Sequence, residues 1–253
     1  MSRAVLSFVR TRLEWQSDAM PSRTPRDRAR ERTLDDITRI GRRQLTEVGA
    51  AGLSLRGVAR ELGVVSSAVY RYVASRDELL TLLVVDAYDE LGDEVDAAVV
   101  AAGPDPYRRF VALGDAVRAW ATREPARYAL LYGTPVPGYA APGERTTTPG
   151  TRVVLRIVGI VEDAQRTGRL TADDTPLPPA LHDDFARIAA EFGTTMTDGT
   201  FARCMLVWSS LFGRIGFEVF GQYGAGTFTA NDELFAAHVA LLAEQAGLRP
   251  PGE

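Results

Sequence analysis

The apolar residues of this 253-residue sequence recur at helical spacing along most of its length. Stretches in which apolar and polar residues alternate, as the two faces of a strand require, do not persist long enough to predict a strand. Capping residues and glycine or proline stops divide the periodic stretches into segments of ordinary helix length. The sequence therefore predicts an all-α protein.

The first part of the chain indicates a basic arm followed by one helix. Residues 1–32 show little periodicity and become rich in Arg, Pro and Ser, so we expect a flexible arm. Met20 offers a second start, which would make the residues before it dispensable. Thr33, with Asp36 three residues later, resembles a capping box that begins a helix ending at Gly49.

Two short segments after this helix carry the strongest functional pattern. Ser54 caps a helix that ends at Gly63, and Ser66 can cap a second helix that is predicted to reach Val73. Two short helices joined by a tight turn that contains glycine are typical of a helix-turn-helix, whose second helix enters the major groove of DNA. A helical hairpin that binds no DNA has the same spacing, so spacing alone leaves both interpretations open.

Polar side chains on and around these two segments are the candidate DNA contacts. Arg71 could bind a guanine edge or a phosphate, and the serines at 66 and 67 could bind either group. The full set of expected DNA contacts is Ser54, Arg56, Ser66, Ser67, Tyr70, Arg71, Tyr72 and Arg76.

Charge is divided unevenly along the chain. Residues 1–76 contain 15 Arg and 8 acidic residues, a net charge of +7, whereas residues 77–253 contain 14 Arg and 25 acidic residues, a net charge of −11. Phosphate neutralisation supplies most non-specific affinity for nucleic acids, so the basic first part favours DNA binding. An asymmetrically solvated surface would give the same division of charge.

A series of residues in this region stands in a distinctive order and spacing. The series is Ile37, Gly49, Ser54, Val58, Ala59, Gly63, Val64, Val69, Tyr70, Arg71, Tyr72, Ser75, Arg76, Asp77, Glu78 and Leu79. It closely resembles the DNA-binding domain of the TetR (tetracycline-repressor-like) regulators. The resemblance implies a three-helix, helix-turn-helix domain over residues 33–79, continued by a linking helix over residues 76–102.

The same resemblance implies roles for individual residues. Ser54 would cap the second helix beside a phosphate, and Tyr70 would touch the DNA backbone. Arg76 stands where the family usually has lysine and keeps the positive charge. Tyr72 replaces a common histidine and Val65 replaces a frequent serine, so the contacts at these two positions depart from the family pattern.

The helical pattern continues over residues 104–249, interrupted by a stretch from Gly133 to Gly150 that is rich in Gly, Pro and Thr and predicts a loop. The run Trp208–Gly213, together with Tyr128–Gly133, resembles a C-terminal domain of TetR regulators marked by a Trp-x-x-x-His-Gly motif, with Phe212 in place of the histidine. The resemblance implies an effector-binding and dimerisation domain. The long apolar helix predicted near the end of this domain and the last helix would pair across a two-fold axis as a four-helix bundle.

Large aromatic side chains in this domain suggest a site for a mainly apolar effector. Pockets for such molecules combine apolar walls with a few polar groups. We expect the site to be lined by Trp120, Tyr128, Tyr132, Arg156 and Trp208. Aromatic residues at helical spacing can equally be plain core.

These features together predict a homodimeric regulator. It would bind a palindromic operator in double-stranded DNA as a repressor and would be released by a hydrophobic small molecule. The alternative is a DNA-tethered module that binds a protein partner and needs no effector.

Enzyme, metal and membrane functions find little support. His182 and His238, the two histidines, stand in no metal-binding or catalytic spacing and are expected at the surface, and Cys204 is the single cysteine. We therefore expect a non-enzyme without catalytic residues, metal or cofactor. No apolar run has membrane-spanning length and no signal peptide is recognisable, so a cytoplasmic protein that contacts no membrane is expected.

Overall fold

A computed structural model describes residues 24–171 and 177–252, and helices make up most of both ranges. The helices are α1 Pro25–Val48, α2 Leu55–Glu61, α3 Ser66–Tyr70, α4 Arg76–Ala101, α5 Pro106–Arg123, α6 Pro125–Tyr132, α7 Gly143–Gly150, α8 Arg152–Arg166, α9 Pro179–Phe192, α10 Asp198–Val219 and α11 Asn231–Gln245. Within these ranges β pairing is limited to an isolated bridge between Leu170 and Leu248. The prediction of an all-α fold is confirmed.

The helices enclose two hydrophobic cores. The smaller core lies among α1, α2, α3 and the first turns of α4, and Ile37, Val58 and Leu79 are fully buried in it. The larger core lies in the C-terminal body and includes Phe110 and Leu211. Because α4 supplies buried residues to both cores, the DNA-binding part and the body are joined by one continuous helix.

Helix α1 begins at Pro25, two turns ahead of the predicted start at Thr33. Thr24 caps it, because the Thr24 hydroxyl accepts a hydrogen bond from the Asp27 backbone N–H at 3.2 Å. The Asp27 carboxylate accepts one in return from the Thr24 N–H at 3.1 Å. This reciprocal pair is a capping box, and proline at the first helical position adds to it because proline lacks an N–H there.

The earlier start corrects the predicted arm. Residues 25–32 are helical, so the expectation of a flexible arm is wrong for them, and Thr33 lies inside the helix, where its hydroxyl donates to the Ala29 carbonyl at 2.9 Å. Residues 1–23 lie outside the described part of the chain. The expectations about the rest of the arm and about Met20 therefore stay predictions.

The stretch predicted as a loop from Gly133 to Gly150 contains helix α7 in its second half, so that prediction is wrong there. Helix α7 packs against α4, where Gly150 lies close to the ring of Tyr88 and Arg145 forms an ion pair with Glu78 at 2.8 Å. These tertiary contacts outweigh the low helix propensity of Gly, Pro and Thr. In the described ranges no helix is long and apolar enough to cross a membrane.

The capping box at Thr24 makes a prediction about local stability. Replacing Thr24 by Ala removes the acceptor for the Asp27 N–H, which should cost about 1 kcal/mol of helix stability and fray the first turns of α1. Hydrogen exchange of the amides in residues 25–32 should accelerate while global stability changes little. Thr33→Ala is the matched control, because Thr33 caps nothing, and equal exchange in the two variants would contradict the assignment.

Candidate DNA-binding surface

Helices α2 and α3 form the predicted helix-turn-helix. Gly63 has φ +69° in the turn between them, a left-handed conformation that glycine adopts without strain. The Val64 N–H bonds to the Ala59 carbonyl at 3.0 Å, which closes the end of α2. Val58 and Val69 are buried, so the two helices are held together by the smaller core.

The recognition helix α3 differs in its limits from the prediction. Its N-cap is Val65, which has no side-chain acceptor, and Ser66, the predicted cap, is the first helical residue. The helix ends at Tyr70 instead of Val73. Val73 is fully buried, which indicates that the residues after α3 return to the core.

Most of the predicted DNA contacts are solvent-exposed. Ser67 and Tyr70 on α3 and Arg71, its C-cap, are exposed on one side at three- and four-residue spacing, while Val69 is buried. Of the other predicted contacts Ser54 and Arg56 are exposed, whereas Ser66, Tyr72 and Arg76 are partly buried. This face of α3 is therefore turned away from the core and exposed to solvent.

Ser54 caps α2 as predicted. Its hydroxyl accepts a hydrogen bond from the Gly57 N–H at 3.3 Å. Its own N–H donates to the side-chain oxygen of Gln44 on α1 at 3.0 Å. Sequence reasoning missed Gln44, because a hydrogen bond between residues ten apart leaves no local signal.

Arg76 has a structural contact that the sequence did not predict. Its Nη2 donates to the Ala50 carbonyl at 2.8 Å, and Ala50 begins a short 3-10 turn, Ala50–Gly52, between α1 and α2. The side chain thus ties this turn to the start of α4. Contact between Arg76 and DNA stays a prediction.

Tyr72 packs under an arginine from the helical part of the predicted arm. The guanidinium carbon of Arg30 lies 5.5 Å from the centre of the Tyr72 ring. Beside this contact, a groove with a volume of about 320 Å³ lies between α1 and the helix-turn-helix. It is lined by Thr33, Asp36, Leu62, Val64, Ala68, Val69, Arg71 and Tyr72. Arg30 was missed because residue 30 was assigned to a flexible arm.

Three of the predicted effector residues meet in one aromatic cluster. The ring of Tyr132 lies 4.5 Å from that of Phe212 and 5.1 Å from that of Tyr128, and Trp208 lies 6.2 Å from Phe212. The Tyr128 hydroxyl donates to the Phe212 carbonyl at 2.7 Å. Burial raises the pKa of Tyr128 and of Tyr132 above the ordinary value for a phenol. Phe212 therefore links the tyrosines of α6 to Trp208 on α10.

The other two predicted effector residues lie apart from the cluster. Trp120 is fully buried, and its indole N–H donates to Glu90 of α4 at 3.2 Å. Arg156 is half-buried and forms an ion pair with Asp96 of α4. Both polar groups already have partners within the protein, so the structure does not bring all five predicted residues together.

The two histidines differ in their surroundings. His182 is exposed, and its Nδ1 lies 2.7 Å from an Asp198 oxygen, a hydrogen bond that raises the pKa of the imidazole. His238 is half-buried and accepts a hydrogen bond from Arg214 at 3.1 Å, so the expectation of a surface histidine is wrong for it. In the described ranges no three metal-ligating side chains come together.

A helix-turn-helix with an exposed polar face, mounted on a helical body, defines the class of DNA-binding transcriptional regulators. Residues 37–83 match the family described as "Bacterial regulatory proteins, tetR family". Residues 110–242 match "Tetracyclin repressor-like, C-terminal domain". The chain belongs to the TetR family of DNA-binding transcriptional regulators.

Individual proteins support this assignment. The chain is similar to the HTH-type transcriptional regulator Rv1816 of Mycobacterium tuberculosis, with 49% identity over 215 residues that cover 85% of this chain and 92% of the relative. The crystal structure of the regulatory protein SCO4313 has a TM-score of 0.71 and 32% identity, covering 87% of this chain and 100% of that one. RolR in complex with the ligand resorcinol shares the fold, with a TM-score of 0.52, 17% identity, and coverage of 89% and 98%.

Arg71 and Arg76 should respond differently to substitution. Arg71 is exposed at the C-cap of the recognition helix, so Arg71→Ala should leave the melting temperature unchanged. It should also relax the sequence preference at one base pair, a loss of about 1–3 kcal/mol in binding. Arg76→Ala should lower the melting temperature, because it removes the contact with the Ala50 carbonyl. Melting curves and binding to a randomised operator library measure both effects. An unchanged preference profile in Arg71→Ala would exclude base contact by Arg71.

Proposed function

We propose that this regulator is a homodimeric repressor that binds a palindromic operator and is released by a hydrophobic small molecule. The observation that carries the proposal is an exposed apolar stripe on α10. Leu206 and Phe217 are 53% and 47% exposed, and Phe220, just after the helix, is 42% exposed. Gly213 lies between Leu206 and Phe217 at helical spacing and has open space above it.

The stripe is the proposed dimer interface. Helix α11 packs beside α10 and exposes Leu241, which is 57% exposed. Contiguous apolar surface of this kind marks an interaction site. Two copies related by a two-fold axis would cover it with a bundle of α10 and α11 from each chain, and Gly213 would allow the helices a close approach. A two-fold dimer presents two recognition helices, so its operator is palindromic.

The DNA contacts that we propose are those predicted from the sequence. The exposed side chains of Ser67 and Tyr70 on α3 and of Arg71 at its C-cap would face the major groove, and Arg71 would contact a base. Ser54 and Arg56 at the start of α2 would hold phosphates. Helix α1 adds four arginines between Pro25 and Arg32 that raise the positive potential beside this face.

The proposed effector site is the aromatic cluster around Phe212. Its rings lie between α6 and α10, and the partners of Trp120 and Arg156 make those two residues weaker candidates. RolR, which shares this fold, binds resorcinol, so aromatic compounds are the first to test. An effector that prefers the DNA-incompetent arrangement by about 3 kcal/mol would weaken operator binding about a hundredfold.

A DNA-tethered module with a protein partner is the second candidate. The tight ring contacts in the cluster favour it, since packed rings leave little room for a ligand. The stripe on α10 would then accept a different protein instead of a second copy.

The proposed dimer is tested by introducing a charged side chain into the apolar stripe on α10. Leu206→Glu should place two buried carboxylates at the interface, and the protein should sediment as a monomer at micromolar concentration with weakened operator binding. Val100→Glu is the matched control, because Val100 is 78% exposed on α4 and lies outside the stripe. A wild-type protein that is monomeric and still binds operator specifically would exclude the dimer.

The effector site is tested by a thermal-shift screen of aromatic compounds. A compound present at 100 times its Kd should stabilise the protein by about 2.7 kcal/mol, and it should also release operator DNA. Tyr132→Leu should abolish this response, while Trp120→Phe, outside the cluster, should retain it. Failure of every compound to release DNA would favour the protein-partner candidate.

A further inference from the structure

The short helix α6 lies between the two hydrophobic cores. Its residues Ala126 and Leu130 pack against the smaller core, which belongs to the DNA-binding part. Tyr128 is buried in the larger core of the body, and Tyr132 packs against it. The body therefore contacts the DNA-binding part directly through α6 as well as through the continuous helix α4.

Arg127 on α6 adds a buried charge to this contact. It is 2% exposed, and its Nη1 donates to a Glu90 oxygen at 2.7 Å. Its Nη2 donates to an Asp86 carboxylate oxygen at 3.0 Å and to the Asp86 carbonyl at 3.2 Å. Glu124 contributes a third carboxylate at 3.6 Å. The guanidinium is thus bound to carboxylates one helical turn apart on α4.

Arg42 reaches the same two carboxylates from α1. Its Nε donates to Asp86 at 2.6 Å, and its Nη1 lies 3.0 Å from the second oxygen of Glu90. Each carboxylate therefore binds one arginine from the DNA-binding part and one from the body. We call Arg42, Asp86, Glu90 and Arg127 the ionic joint.

The charges of the ionic joint depend on one another. Burial acts to raise the pKa of Glu90, but the hydrogen bond and charge of Arg127 and the charge of Arg42 outweigh it, so that the pKa lies below its usual value. The indole N–H of Trp120 donates to the same carboxylate. A buried arginine without its partners strongly destabilises the folded protein. Separating Arg127 from Asp86 and Glu90 is therefore costly, and these three side chains and Arg42 are expected to keep their relative positions.

We propose that Arg127 is a positioning residue for DNA binding, because the ionic joint fixes the angle between the DNA-binding part and the body. In a dimer this angle sets the separation of the two recognition helices and therefore the half-site spacing that the protein accepts. Only this last consequence rests on the proposed dimer. The angle itself is a property of one chain.

The angle is tested by the distance between two spin labels within one chain. Labels at Ser67→Cys on α3 and Gln165→Cys on α8 report it, since both positions are exposed. The native Cys204 is fully buried, which raises the pKa of its thiol to about 12 and protects it from labelling. Labelled protein diluted into unlabelled protein gives distances within a chain only.

The variants separate the ionic joint from ordinary ion pairs. Arg127→Met should broaden the distance distribution of the wild type, and so should Arg42→Met, whose half-exposed side chain leaves the core intact. Arg123→Met is the matched control, because Arg123 pairs with Glu94 of α4 and touches no residue of the joint. Unchanged distributions in both joint variants would overturn the proposal.

The consequence for DNA is tested with operators of altered spacing. An operator selected from random DNA by the wild type is remade with one base pair added or removed at its centre. Wild type and Arg123→Met should lose binding to both respaced operators, whereas Arg127→Met should bind all three with similar affinity. A variant that had only lost stability would bind all three operators more weakly by the same factor. If Arg127→Met still bound the original operator and lost both respaced operators, its positioning role would be overturned. If the selected site lacks two half-sites, the proposed dimer fails, and the label distances alone decide the ionic joint.

Discussion

Helix α4 contributes side chains to two hydrophobic cores, and this continuity determines how the protein is arranged. Its first turns bury Leu79 and Leu83 among the helices that surround the recognition helix. Its later turns bury Leu91 and Val95 in the body. Each end of α4 is thus held by a different core, and Asp86 and Glu90 of the ionic joint lie on α4 where the two cores meet.

Two buried arginines stand out among the many ion pairs of this arginine-rich chain. Surface pairs contribute about 0–1 kcal/mol each, whereas removing one partner of a buried pair costs about 3–5 kcal/mol. Arg127 joins the DNA-binding part to the body, and Arg214 binds Glu218 at 3.0 Å and Asn231 at 2.9 Å, which joins α10 to α11. Arg127 thus makes its ion pairs between helices, whereas Arg214 pairs with Glu218 inside α10 and reaches α11 through a hydrogen bond to Asn231.

Periodicity and capping residues predicted the helices that are defined locally. Ser54 caps the helix that the sequence assigned to it, because a cap needs only its own next three residues. Helix α7 was missed, because its contacts with α4 come from residues more than sixty positions away. The pairing of Arg127 with Asp86 and Glu90 was missed for the same reason, and a buried arginine has no distinguishing pattern in a sequence with arginines throughout. The candidate site was therefore predictable on α3 and much less so in the body.

The phenylalanine at position 212 affects how the charge of the aromatic cluster depends on pH. Histidine is the side chain whose charge changes between about pH 5 and 8, so a histidine at this position in the aromatic cluster would make the charge of the cluster depend on pH. With Phe212 there, the titratable groups among the neighbouring rings are the phenols of Tyr88, Tyr128 and Tyr132, whose pKa values burial raises. These rings thus stay uncharged near neutral pH, and binding of the proposed effector among them would depend on its concentration and not on the pH.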